Sequence, residues 1–282
     1  MKSIKELYAI LYPTKDYNHD YLPRVAQCRD CDSIPKVENA GQVIDTELGP
    51  AQIMHPGVLV HEGCYHQQWM TDLIRCLNGH HEPQEEKLFY ESLKYIPDDA
   101  VILELGSFWA FYSLWFKKEK PKSKAYLIEP NPYKIELGKH NFLLNNYEGD
   151  FMQGFIGSSH NDPSVFVDWD GTNFSVPQVS VDWYLKHKNI DKLHMLQADI
   201  QDNEAELLEG MKDTLANRKV DFIFLGTHSP NYPFRKTLVD AGYVILEEFE
   251  VHESFFDDGL ILACSPGVYE TLDPTLFKVS KK

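Results

Sequence analysis

From about residue 82 onward the chain alternates short apolar runs with amphipathic ones. Val101 to Leu105 is apolar enough for a strand covered on both faces, and the amphipathic FYSLWFKK of residues 111–118 follows it after a tight turn. Further strand-like runs lie at 125–129, 150–156, 193–199 and 220–226. Helical periodicity fills much of the space between them. Pro83 suits the first turn of a helix in which Leu88, Phe89, Leu93 and Ile96 recur on one face. A second helix is predicted from Pro132 to about Asn145. A third has Leu207, Leu208, Met211 and Leu215 on its buried side, and a short one runs from Pro233 to Ala241. The last two strand-like runs, 243–250 and 259–265, are joined only by HESFFDD, which predicts antiparallel neighbours. The pattern as a whole predicts a Rossmann-like α/β domain, a mostly parallel doubly wound sheet closed by an antiparallel pair.

Residues 1–80 lack this alternation. Pro and Gly punctuate short strand-like pieces (IDTEL, AQIM, GVLV), and a helical stretch runs from Gln67 to Leu77. They are expected to form an N-terminal extension packed on a domain of residues 81–282, in which 157–190 is an inserted hairpin or loop. A sequence of 282 residues accommodates that arrangement.

Charge narrows the function. The formal net charge is −16, which opposes docking on phosphate backbones or anionic membranes, so neither nucleic acid nor membrane is an expected partner. The longest apolar runs are strand-sized, far below the roughly 20 residues that span a bilayer. No signal-peptide pattern opens the chain, and a cytoplasmic location is expected. Five cysteines, at 28, 31, 64, 76 and 264, are read as reduced thiols. Cys28 and Cys31 form a lone CxxC without the second pair that a zinc knuckle needs.

In a doubly wound sheet, ligands bind beyond the carboxyl ends of the strands at the topological switch point. The first strand ends in Glu104-Leu105-Gly106-Ser107-Phe108-Trp109-Ala110, where Gly106 leaves room for a ligand and Ala110 for close helix packing. The second strand ends in Glu129-Pro130-Asn131, with a carboxylate placed to accept from both ribose hydroxyls. These features fit either a nicotinamide dinucleotide or S-adenosylmethionine. Three details favour the latter. Phe108 occupies the middle glycine position of a dinucleotide loop. Glu104 would repel a pyrophosphate but can hold a cationic amino group. The closing antiparallel pair is usual in methyltransferase sheets.

On these residues the chain resembles the FkbM family of methyltransferases. The family's D/E-x-G-A-N-x-G loop, its iEPnP and its K-I-D-V-E-G-A-E correspond to ELGSFWA at 104–110, IEPNP at 128–132 and ADIQDNEAELLEG at 198–210. Phe108 and Ala110 stand where the family has Asn and Gly, and Asp202 and Asn203 where it has Gly and Ala. The resemblance implies binding of S-adenosylmethionine and methylation of hydroxyls on sugars or other metabolites.

Methyl transfer to an alcohol is an in-line displacement helped by a base. Asp199 at the fourth strand end, Glu204 and His228 are the candidate catalytic residues, with His228 or Asp199 as the base. The same three are a less favoured ligand set for a divalent cation; otherwise no metal is expected. Glu82, Glu104, Gly106, Ser107, Ala110, Glu129, Pro130, Asn131 and Asp199 are the candidate donor-binding residues. His80, His81 and Gln84 are candidates for the acceptor, whose pocket is expected from the extension and from residues 157–190. The competing reading is a non-catalytic Rossmann-like scaffold that keeps the donor site.

Overall fold

The structure is a computed structural model that describes residues 21–168 and 171–282. The N-terminal apolar stretch before Tyr21, and Trp169 and Asp170 of the DWDGTNFSVPQ segment, lie outside the described residues.

The described part of the extension starts with a short helix, α1 (Tyr21–Val25), and continues as a small antiparallel sheet of β1 (Val43–Thr46), β2 (Gly49–Ile53) and β3 (Leu59–His61). Helix α2 (Gln67–Cys76) follows, and α3 (Pro83–Leu93) opens the main domain with its proline in the first turn. From there the chain runs β4 (Val101–Leu105), α4 (Phe111–Glu119), β5 (Lys124–Glu129), α5 (Pro132–Leu144) and β6 (Asp150–Gln153). A second small sheet comes next, built from β7 (Phe155–Ile156), β8 (Asn161–Val167) and β9 (Asn173–Val179). It leads through α6 (Val181–Lys188) to β10 (Leu193–Ala198), α7 (Glu204–Gly210), α8 (Lys212–Ala216), β11 (Val220–Thr227) and α9 (Tyr232–Asp240). The closing strands are β12 (Val244–Phe249) and β13 (Gly259–Cys264), followed by the single turn α10 (Pro266–Tyr269).

The seven-stranded sheet has the order β12-β13-β11-β10-β4-β5-β6. All of its neighbours are parallel except those of β13, which is antiparallel to both β11 and β12. This is the Rossmann-like class I methyltransferase architecture expected from the strand pattern. β4 lies between β5 and β10, so the winding reverses there and a crevice opens at the carboxyl ends of β4 and β10.

Side chains alternate across the central strands. Ile102 joins a core with α3, α4 and α5, whereas Leu103 and Leu105 join one with α6 to α9. The first core also takes in Val25, Met54, Val60, Met70 and Leu73 of the extension, so one hydrophobic cluster runs through both parts. Polar clamps reinforce the join. Asn145 Nδ2 donates to the Leu59 carbonyl at 2.7 Å and its Oδ1 accepts from the Leu59 N–H at 2.8 Å. Asn141 Oδ1 accepts from the His61 N–H at 2.8 Å, and its Nδ2 donates to the Trp109 carbonyl at 2.9 Å.

Local differences from the sequence reading have simple causes. The run 150–156 is not one strand: Gly154 separates β6, in the main sheet, from β7, which pairs with β9 instead. The helix after β10 is two short helices meeting at Met211. Within 157–190 only the hairpin stands apart, because α6 buries Val181, Tyr184 and Leu185 in the core.

Candidate active site

At the switch point Glu104 and Gln197 stand side by side, paired in register on β4 and β10. They line a cavity of about 80 Å³ with Glu82, Glu85, Ser107, Trp109, Tyr112 and Asp199 among its other walls. With Asp258, five carboxylates therefore converge on the cavity, and among the described residues no Lys or Arg lines it. Glu82 accepts from the hydroxyls of Tyr65 at 3.3 Å and Tyr112 at 3.2 Å. Glu85 Oε1 accepts from Gln197 Nε2 at 2.5 Å, and Glu104 Oε2 from the Ser113 N–H at 3.0 Å. Burial pushes Glu104 up to about 7, and burial with the Glu82 charge holds Glu85 well above the usual carboxylate range. Acids held so poorly ionised are relieved by a cation.

The loop after β4 explains how the cavity is shaped. Gly106 has φ +71, and a Cβ there would meet the Asp199 carbonyl oxygen at 1.8 Å. The glycine is required by this close approach of two strand ends, and it also lines the cavity. Phe108 and Ala110 also sit at positive φ, +38 and +64, so the loop keeps a left-handed path with L side chains on it. Ser107 is buried, lines the cavity and has no hydrogen-bond partner for its Oγ. Trp109 stacks on Tyr65 with ring centroids 4.7 Å apart.

The far end of the crevice is closed. Glu129 is 3% exposed and does not line the cavity; its oxygens accept from the Asn131 N–H at 2.8 Å and the Phe108 N–H at 3.1 Å. Asn131 caps α5 and donates to Asp168 at 2.7 Å. Pro130, Asn131 and Ala110 do not line the cavity either.

On the other side of Asp199 lies a histidine among acids. His228 Nδ1 faces Glu204 at 2.9 Å, while its Nε2 faces Asp258 at 3.0 Å and Asp199 at 3.5 Å. Burial alone would lower this imidazole, but the hydrogen bonds to Asp258 and Glu204 and the Asp199 charge outweigh it and raise it to about 11. An imidazole held protonated by these carboxylates is disfavoured as a base, which leaves Asp199 as the stronger candidate of the two. Enclosure and the Asp258 charge push Asp199 up to about 7. Glu204 is buried against His228 and does not line the cavity. Asp199, His228 and Asp258 offer ligand atoms within 4.8 Å of one another, so Asp258 rather than Glu204 would be the third ligand of a cation there.

The acceptor candidates separate. His81 lines the cavity, and Glu82 and Glu86 overcome the effect of its burial to raise it to about 10. His80 is buried outside the cavity, against Glu86. Gln84 lines the cavity, but its amide is committed to backbone: Nε2 donates to Ser280 at 2.7 Å and Oε1 accepts from Phe255 at 2.9 Å. No described residue of 157–190 lines the cavity. The segment 249–258 does, through Phe249, Ser254, Phe255, Phe256 and Asp258. Sequence reading missed Tyr65, Glu85, Tyr112, Gln197 and Asp258. The only signal for the last was its place in the short connection between the closing strands.

The Methyltransferase FkbM domain family matches residues 94–258, more than half of the chain and the whole span from β4 to the end of this connection. The chain belongs to the FkbM methyltransferase domain family. The protein is thus an S-adenosylmethionine-dependent methyltransferase, and the orphaned Ser107 hydroxyl and the cavity's carboxylates suit a donor with a sulfonium and an ammonium group. Among solved structures it is similar to M. capricolum TrmK in complex with S-adenosyl-homocysteine, at 14% identity and TM-score 0.44, over 63% of this chain and 67% of that one. It is also similar to precorrin-6y C5,15-methyltransferase from Geobacter metallireducens, at 14% identity and TM-score 0.42, over 65% of this chain and 87% of that one. These are distant similarities of fold. No curated protein matches the chain significantly. Among the described residues no helix is long and apolar enough to cross a membrane.

Proposed function

We propose that this FkbM-family protein is an O-methyltransferase acting on a hydroxyl of a sugar, glycan or other small metabolite, with residues 1–80 serving as an extension of the 81–282 domain. One observation carries the reading: Asp199 opens on the cavity at the end of β10, beside Asp258 and His228, with its carboxyl raised to about 7. Such a group accepts a proton from an alcohol at neutral pH and keeps it long enough for the bond to form. When bound, the donor supplies an electrophilic methyl group on a sulfonium. Glu82 and Glu85 hold positive charge near Asp199, and the tyrosines fix the Glu82 carboxylate. The His228 imidazolium, pinned by Glu204, steadies the Asp199 and Asp258 carboxylates. Trp109, Phe255 and Phe256 keep water from the reacting atoms, and the acceptor enters from the 249–258 side.

A second reading has its own observation. The cavity, about 80 Å³, is far smaller than the roughly 300 Å³ at which ligand pockets begin, and Glu129 is sealed. That favours a scaffold that binds the donor weakly and turns nothing over. Calorimetry with S-adenosylmethionine and S-adenosylhomocysteine, followed by a labelled-donor screen of hydroxylated metabolites and oligosaccharides, separates the two. Binding with methyl transfer to a hydroxyl supports the enzyme; binding without turnover across the panel supports the scaffold. No binding at millimolar concentration removes both.

A further inference from the structure

A second cluster of metal-ligating side chains lies outside this cavity, where the extension meets α3. Cys31, His80 and Glu86 are all buried, and each offers a ligand atom within 4.8 Å of the others. They come from distant parts of the chain: Cys31 from the turns after α1, His80 from the loop before α3, Glu86 from the first turn of α3. His80 Nδ1 lies 2.5 Å from Glu86 Oε2, while its Nε2 has no partner. A second imidazole is stacked on it: His55 lies 4.0 Å away at 15°, is 1% exposed, and has both ring nitrogens unpartnered. His55 Nε2 is 3.4 Å from the same Glu86 oxygen. The Cys31 thiol donates to the Pro83 carbonyl at 3.1 Å.

Orphaned polar atoms in a dry interior cost on the order of 1–3 kcal/mol each, and three imidazole nitrogens left so at one point ask for a partner. An imidazole binds an ion through one nitrogen at a time, so a cation here takes one nitrogen of His80 and, once the ring turns, one of His55. A thiolate, imidazoles and a carboxylate are the ligand types of zinc, and full burial suits a closed structural site without an open position.

We propose that Cys31, His80 and Glu86 bind a structural Zn²⁺, that His55 supplies the fourth ligand by turning out of its stack on His80, and that this ion rivets the extension to α3. Binding releases the thiol proton of Cys31 to solvent. The CxxC pair is not the unit, because Cys28 turns instead to Asp30 at 3.4 Å. The ion fixes the start of α3, from which His81, Glu82 and Glu85 reach the cavity.

The test uses the full chain, expressed without a histidine tag in zinc-supplemented medium. Elemental analysis is expected to give about one zinc per chain. Cys31→Ser and His80→Gln should lose most of it, and Cys28→Ser should keep it. Replacement by Co²⁺ should give the thiolate-to-cobalt charge-transfer band in the wild-type protein, a band that an ion on Asp199, His228 and Asp258 cannot produce. Wild-type protein with about a tenth of an equivalent or less overturns the proposal however the variants fold. So does bound metal without the thiolate band, or full zinc retention in both variants.

Discussion

Two carboxylates end neighbouring strands of the same sheet and meet opposite fates. Glu104, on β4, opens on a cavity crowded with other acids and is raised to about 7. Glu129, on β5, lies behind Phe108 with two backbone N–H groups on its oxygens. Both are buried acids, so burial does not distinguish them. Access does. Burial raises both carboxyls, but Glu104 faces the cavity, where a cation can reach it. Glu129 is walled off from the cavity beside Lys134, with loop N–H groups on its oxygens, and braces the loop. The donor cleft thus has an open end around Glu104 and Asp199 and a braced end around Glu129, and the contrast can be tested from both sides.

The largest expected effect is at the open end. Asp199→Asn should lower turnover by roughly 10²–10⁴ while changing donor affinity little, the size of a lost general base. Wild-type turnover should rise about tenfold per pH unit below about 7 and level off above it, because only the ionised carboxylate accepts a proton and Asp199 is raised to about 7. A flat profile between pH 5.5 and 8.5, or an Asn variant with full rate, would sink Asp199 as the base.

Next comes the braced end. Glu129→Ala removes the acceptor of two loop N–H groups and should destabilise the fold by about 1–3 kcal/mol in urea titration. Weaker donor binding should accompany it, by about tenfold, a loss of about 1.4 kcal/mol. Lost stability with unchanged affinity would make Glu129 a brace alone.

The smallest effect is at Ala110, which sits at φ +64 where the family has Gly. Ala110→Gly relieves a left-handed L residue and should raise stability by about 0.5–1 kcal/mol, the left-handed strain being partly offset by the greater freedom of glycine in the unfolded chain. A fall in thermal stability would show that the Ala110 methyl, packed 3.4 Å from where a Cβ of Gly138 would lie, matters more than the strain.

Much of the fold was legible in the chain, and for a definite reason. Runs such as VILEL and VDFIFLG are apolar throughout because both faces of a central parallel strand are covered, and the short connection 252–258 leaves no room for a crossover helix. Periodicity is a local property, and sequence carries local properties well. The site was legible in part. Strand ends pointed to Glu104 and Asp199, and both line the cavity. Gln84 looked like a free polar group at a helix start, but its amide is spent on residues 255 and 280, far along the chain.

By itself the sequence determined the fold class, the strand that carries the switch point and the family, because these rest on spacing and residue type within short windows. Only the tertiary structure decided which acids share a cavity, that His228 sits among Glu204, Asp199 and Asp258, and that the Cys31 thiol lies beside His80 and Glu86. The physical reason is one of range. Protonation and metal affinity depend on which charges lie within a few ångströms in a medium of low dielectric, and folding sets those distances between residues that the sequence keeps far apart.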